Sequence, residues 1–251
     1  MTVPRFFVSP ESLQDDKAII QGDLVHQIRN VLRLREGDRI TLLDDSGWEH
    51  ETELQTISHD QAVGHVLRKT LTKGEPSTKI TLYQGILKGK QFDWVLQKGT
   101  ELGIVAFVPI ICSRCIISGI GEIGATKMVR WQRIILEAAE QSRRGNLPKL
   151  RSPLLFSQAC EQARRGGMSL IPWEEERAVS LRYLLRESEG RDRPFSINIF
   201  IGPEGGFTPQ EMEEARNYGL IPVTLGPRVL RAETAGLVSA TTVLYEMGDL
   251  E

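Results

Sequence analysis

Three cysteines among 251 residues, Cys112, Cys115 and Cys160, are too few for a disulfide framework, which agrees with a reducing compartment. Long apolar runs are missing too. No segment reaches the roughly 18 uncharged apolar residues of a membrane span, and the opening MTVPRFFVSPESLQDD lacks the apolar core of a signal peptide. A cytoplasmic protein with no membrane association is the expectation. Positive charge is not in surplus: the net charge is −2, and residues 1–74 hold 9 Lys/Arg against 12 Asp/Glu, leaving 22 against 21 for the rest. Nucleic-acid binding would therefore have to rest on local patches. Histidine is confined to positions 26, 50, 59 and 65, so the remainder offers none to a Ser-His pair, a zincin helix or general-base catalysis.

What is present is an ordinary globular composition, 40% hydrophobic and 25% charged, without a low-complexity run. CSRC, at 112–115, has C-x-x-C spacing. No second pair completes a zinc site, and the motif ends the apolar run AFVPII instead of opening a helix as a redox motif would. It reads as two small, half-buried residues, and no metal is expected.

Residues 5–70 are rich in short strand candidates, RFFV, AIIQ, RITLLDD, HETELQTI and AVGHVLRK, separated by Gly, Asp and Ser turn signals, with DDSG as a hairpin turn. One helix interrupts them: Leu24, Ile28, Val31 and Leu32 share a face of DLVHQIRNVLRL, with Asp23 as its N-cap. Small closed barrels are built this way. The polar stretch LTKGEPSTK, with its Gly and Pro, then divides the chain into residues 1–73 and 74–251.

Beyond it, strand candidates ITLYQGIL, AFVPIIC, SPLLF, MSLIPW, SINIFIG and IPVTLG alternate with helical spacing, as in KMVRWQRIILEAAEQSRR, where Met128, Trp131, Ile135 and Ala138 share a face. Such alternation predicts an α/β domain with a mostly parallel sheet and helices on both faces, whose ligands bind beyond the carboxyl ends of the strands. Three of those ends carry unusual loops: IGPEGGFTPQEME, LGPRVLRAETA and, more weakly, LIPWEEE. In the first, Thr208 with Glu211 three residues on forms a capping box around Pro209. The glycines there let main chain approach a ligand, or serve only a tight strand-to-helix turn. GPEGGF is not G-x-G-x-x-G, and GILKGKQ has the wrong spacing and the wrong last residue for a P-loop.

These loops, together with HQIRNVLRLREGD, GILKGKQFDWVLQKGTELGIVAFVPIICSRC and RWQRIILEAAEQSRRGNLPKL, make the sequence resemble the bacterial 16S ribosomal RNA uridine-N3 methyltransferases of the SPOUT superfamily, nearly end to end. It departs modestly, at Gly99, where that family tends to have alanine, and at Arg143, where glycine is common. The resemblance implies a PUA-like β-barrel, which binds RNA, followed by a SPOUT domain whose last segments tie a trefoil knot. It implies methylation of uridine N3 in 16S ribosomal RNA, in the assembled small subunit, by a homodimer, with S-adenosylmethionine as cofactor and no metal. The final helix AETAGLVSATTVLYEM is rich in small residues suited to close contact, either between subunits or within one.

Carried onto this sequence, the resemblance assigns cofactor contacts to Ile201, Gly202, Pro203, Glu204, Gly205, Gly206, Leu225, Gly226, Leu230, Arg231, Thr234 and Ala235. Uracil N3 must lose an imide proton before it can attack an electrophilic methyl, and Arg231 suits the stabilisation of the resulting anion. Glu233 could orient Arg231 or take the proton. Alternatively the two simply pair or cap the helix. RNA contacts fall to Arg29 and Arg33, one turn apart with Arg35 close by, to Arg144 in RRGNLPKLR, and from matched motifs to Arg5 and Arg114. A ribose 2′-hydroxyl target, or an RNA-binding module without catalysis, are the competing readings.

Overall fold

The computed structural model describes residues 3–187 and 194–250. Two compact units emerge, one comprising Met1–Glu75 with Ala139–Leu147, the other Pro76–Ala138 with Pro148–Glu251. Among the described residues no helix is long and apolar enough to cross a membrane.

In the first unit β1 (Arg5–Phe7), β2 (Leu13–Gln14), β3 (Lys17–Gln21), β4 (Arg39–Leu43), β5 (Trp48–Ile57) and β6 (Gln61–Leu71) form one sheet in the order β1-β4-β5-β6-β3-β2. All neighbours are antiparallel except β1 and β4. Register shifts along β5–β6, at Glu51/Thr52 and Leu54/Thr56, help curl it into the barrel-like form. Alternate residues, Phe6, Ala18, Ile20, Ile40, Leu42, Leu54 and Ala62, meet in its core.

The helix of this unit departs from expectation. Gly22, at φ 71°, is the N-cap, so Asp23 is already the first residue of α1 (Asp23–His26). The chain then widens into a π-turn over Gln27–Val31, closed by Leu32 N–H on Gln27 O at 2.9 Å. Widening shifts the phase of the apolar positions. Val25 and Ile28 reach the core, whereas Val31 and Leu32 are exposed beside Arg29 and Arg33.

Residues 139–147 belong to this unit through a buried ion pair. Arg144, 3% exposed, donates from Nε (2.9 Å) and Nη2 (3.0 Å) to the Glu75 carboxylate, which also accepts the N–H groups of Gly145 and Asn146. Arg143 sits at φ 62°, a left-handed conformation in which glycine would be unstrained.

The second unit is a wholly parallel sheet. Its strands are β7 (Lys79–Gly85), β8 (Ala106–Ile111), β9 (Lys149–Leu150), β10 (Leu154–Leu155), β11 (Met168–Pro172), β12 (Ser196–Ile201) and β13 (Ile221–Val223). Their order is β10-β8-β7-β12-β11-β13, with β9 also on β8. Helices α2 (Gln91–Leu102), α3 (Ala125–Gln141) up to Ala138, α4 (Phe156–Ala163), α5 (Leu181–Glu187), α6 (Pro209–Asn217) and α7 (Ala232–Met247) complete it.

Tyr83, Val108, Ile110, Ile171 and Phe200 point to the face covered by α4 and α6, where Tyr83 stacks on Phe200 at 4.3 Å. The opposite face carries α2 and α7. Both faces are thus covered, which is why β8 is buried at all six positions. Gly99 of α2 needs to be glycine, since a Cβ would stand 2.8 Å from the Phe107 ring. After edge strand β13 the chain turns back and α7 docks against α2, β12 and β7.

Candidate functional site

Five loops leave the carboxyl ends of β8, β7, β12, β11 and β13. Three of them, after β11, β12 and β13, surround a cavity of about 480 Å³ together with Gln91 and the start of α7. The β12 loop is fixed first by its own geometry. Gly206, at φ 67°, closes a turn on Pro203 O at 2.9 Å. Thr208 and Glu211 exchange the capping-box hydrogen bonds expected of them at the start of α6.

Neighbouring loops then hold it in place. Glu204 Oε1 accepts Lys88 N–H at 2.7 Å, and Arg114 Nη1 donates to Gly205 O at 2.7 Å and Phe207 O at 3.4 Å. A Cβ on Gly85 would lie 2.6 Å from Pro203 N and 2.7 Å from Gly202 C, so the end of β7 is packed directly against the loop's main chain.

The β13 loop reverses at Gly226, whose φ of 106° places it in glycine's territory and whose Cβ direction opens on space. Gly226 N–H is held by Thr224 Oγ1 at 3.2 Å. On the β11 side Trp173 contributes a ring backed by the Arg216 guanidinium at 5.4 Å. Gly236 lets α7 approach closely, because a Cβ there would come 3.1 Å from Gln84 Oε1 and 3.5 Å from Ile201 and Leu82.

Of the residues singled out in the sequence, Ile201, Gly202, Pro203, Glu204, Gly206, Leu225, Gly226, Leu230, Arg231 and Ala235 line the cavity, as does Glu233. Gly205 and Thr234 do not. Gly205 faces outward, its Cβ position 3.1 Å from Arg114 Cβ, so a side chain there would press on Arg114 and not on a ligand. Arg231 sits at the N-cap of α7 with its side chain 85% exposed, 4.0 Å from a Glu233 carboxylate that is only 14% exposed. The two are close enough to feel each other, yet the guanidinium remains open to an incoming anion. Trp173, Glu174 and Arg228, which also line the walls, lie in the loops at 171–174 and 225–235 that the resemblance brings to the cofactor but were not singled out there, while Arg177 and Phe207 fall outside those loops. The aromatic in LIPWEEE was the signal for the first of these.

The arginines sort differently. Arg29 and Arg33 are exposed on the π-turn of the first unit, Arg33 at φ 54°. Arg114 is exposed but braces the β12 loop. Arg5 is largely enclosed, with Nη1 on Glu49 at 2.8 Å. Arg144 is the clear departure: buried and gripped by Glu75, it has no surface to offer a phosphate. Among the described residues no group of three or more His, Cys, Asp or Glu side chains could hold a metal.

A family model described as RNA methyltransferase domain matches residues 74–244, and one described as RNA methyltransferase PUA domain matches residues 20–67. The chain is 32% identical over 246 residues, 96% of each chain, to ribosomal RNA small subunit methyltransferase E of Bacillus subtilis. It is 33% identical to the protein of the same name from Synechocystis, covering 95% of this chain and 76% of that one. A crystal structure of ribosomal RNA small subunit methyltransferase E from Neisseria gonorrhoeae bound to S-adenosyl methionine superposes with a TM-score of 0.85 at 33% identity, covering 99% of this chain and 98% of that one.

Proposed function

The chain belongs to the ribosomal RNA small subunit methyltransferase E family, and from that membership we propose that it methylates N3 of a uridine in 16S ribosomal RNA, using S-adenosylmethionine. The observation that carries this reading is the convergence, in one cavity, of glycine-exposed main chain, an apolar wall and the Arg231–Glu233 pair. A cavity of about 480 Å³ suits a small-molecule cofactor. Ile201, Leu225, Leu230 and Ala235 would supply its apolar walls, while Gly202, Gly206 and Gly226 leave main chain bare for hydrogen bonding. Pro203 and Glu204 shape the same loop, Glu204 through its bond to Lys88 N–H. Trp173 adds a flat wall suited to a purine or a pyrimidine ring. Gly205 O is held by Arg114, and Thr234 N–H bonds Arg231 O at 2.9 Å in the first turn of α7.

S-adenosylmethionine brings a methyl group already activated on a sulfonium, so the residues need provide only alignment and charge. Arg231, at the cavity rim and open to solvent, stabilises the uracil anion as N3 loses its proton. Glu233 orients the guanidinium or receives that proton. The exposed π-turn, with Arg29 and Arg33 flanking Val31 and Leu32, grips RNA in the first unit through phosphate and apolar contacts. A ribosomal substrate makes the cytoplasm the working compartment.

The test is to treat small subunits lacking the modification with the protein and cofactor, digest the RNA and identify methylated nucleosides by mass. 3-Methyluridine is expected. Methyl on ribose, or on no nucleoside, overturns the assignment, and naked RNA in parallel shows which form is recognised. Gly85→Ala should weaken cofactor binding on the order of tenfold, since the added carbon collides with loop main chain that cannot rotate away. Calorimetric titration, with a melting curve to confirm folding, measures it.

We also propose a homodimer. Of the small residues of α7, Gly236, Ser239 and Ala240 are buried within the chain and cannot form its interface, while Ala232, Ala235, Thr241 and Thr242 are half-buried. Val238 and Tyr245, seven residues apart on the outer face, remain exposed for it. A monomeric mass by light scattering at working concentrations rules the dimer out.

A further inference from the structure

Cys112 and Cys115 stand at the two ends of a tight turn just past β8, closed by Cys115 N–H on Cys112 O at 3.0 Å. Such a turn holds its first and last Cα atoms within about 7 Å, the span a disulfide bridges. Cys112 N–H also points at Cys115 Sγ, 3.3 Å away. Cys112 is buried and Cys115 half-buried, and neither lines the cavity. A hydrogen bond from the Cys112 thiol, aided by the N–H groups of Cys112 and Ile86, outweighs burial and brings the Cys115 thiol down to about 7. That same thiol contact, with burial, pushes Cys112 well up. Cys160, buried nearby, is raised to about 12.

The two residues between the cysteines are both tied to the loop after β12. Ser113 N–H donates to Glu211 Oε1 at 2.7 Å, and Arg114 holds Gly205 O and Phe207 O. Glu211 is the capping-box residue that starts α6, so one turn supports both ends of the loop.

We propose that Cys115, with Cys112 as its resolving partner, is a dithiol site for hydroperoxides, and that closing it into a disulfide loosens the 202–207 loop. The Cys115 thiolate attacks one oxygen of hydrogen peroxide. The O–O bond breaks, leaving a sulfenic acid on Cys115 and hydroxide, which takes up a proton to become water. The Cys112 sulfur then attacks the Cys115 sulfur, the S–S bond forms as the S–O bond breaks, and a second water departs with the Cys112 proton. Two thiols are oxidised and one peroxide is reduced. The new bond draws the Cys115 sulfur away from Cys112 N–H and from Ile110 O, and the turn shifts under Ser113 and Arg114.

The effect on cofactor affinity rests on the cofactor reading given above, so the experiment carries readouts that do not. The full-length reduced protein is treated with hydrogen peroxide and followed by peptide mass, by hydrogen exchange over residues 202–211, and by calorimetric titration with S-adenosylmethionine. The expected result is a disulfide between Cys112 and Cys115 with Cys160 untouched, faster exchange in 202–211, and affinity lowered about tenfold, all reversed by dithiothreitol. Cys112→Ser should stop at a sulfenic acid on Cys115, trapped by dimedone, and while reduced should bind cofactor as the unaltered protein does. Cys115 left unmodified, or a disulfide formed with unchanged exchange over 202–211, overturns the proposal. If the reduced protein binds no S-adenosylmethionine, the cofactor reading fails, while mass and exchange still decide the dithiol.

Discussion

Replacing Arg231 with alanine should lower kcat on the order of 10²-fold or more and leave S-adenosylmethionine affinity within about threefold. The asymmetry follows from where the charge sits. Arg231 lines the same cavity as the glycine loops that would hold the cofactor, but its side chain is 85% exposed at the head of α7 and so is directed to the rim. Its cation therefore meets the substrate chiefly when N3 has shed its proton and negative charge has spread over the uracil carbonyls, a state more anionic than either reactant. An interaction made mostly in that state appears in turnover and hardly in binding. Arg231→Lys should recover part of the loss, since it keeps the charge but not the guanidinium fork. Single-turnover rates at saturating RNA and cofactor are the measurement. Near-normal turnover in Arg231→Ala would show that the arginine only pairs with Glu233 at the helix end.

Arg144→Ala should instead cost the protein about 3 kcal/mol of stability while the folded fraction keeps its RNA affinity. Removing the guanidinium strands the Glu75 carboxylate in a site where it is 16% exposed and where only the N–H groups of Gly145 and Asn146 remain to it. The pair also has an acid signature. Burial acts to raise the Glu75 carboxyl, but Arg144 and those two N–H groups outweigh it and hold the group below its ordinary 4.5. The stabilisation is thus complete above pH 4.5 and is lost as pH falls through the lower folded value, so Arg144→Ala should flatten that part of the stability profile. Denaturant titrations across pH, alongside RNA binding at neutral pH, give both answers. Wild-type stability with weakened RNA binding would return Arg144 to the RNA interface.

These two arginines show where the sequence was legible and where it was not. Local chemistry could be read: the capping box of Thr208 and Glu211, the ends of the parallel strands, and α7 from Ala232 to Met247 all follow from spacing along a single element. Arg231 belongs to that class, because its position depends only on the start of one helix. Arg144 does not, since its partner Glu75 lies 69 residues earlier and no local pattern joins them. Gly205 failed for a related reason. That a loop is glycine-rich says the main chain is bare, but which glycine lines the cavity depends on Arg114, which arrives from the turn past β8. The apolar face of the first helix was misjudged because a π-turn changes the period on which the reading rested. The place of β12 between β7 and β11 had no trace in local pattern.

That placement also sets the order in which the enzyme can come into being. Ser196 pairs with Lys79 across more than a hundred residues of sequence, and apart from Gln91 and residues 172–177 every wall of the cavity lies beyond residue 200. A growing chain can finish its barrel and several helices early, but it holds no completed pocket until β12 has been inserted between β7 and β11, β13 added at the edge and α7 laid on the face of the sheet. Long-range parallel pairing of this kind closes slowly. An unfinished copy, still attached to the ribosome that is making it, is therefore surrounded by ribosomal RNA and unable to act on it.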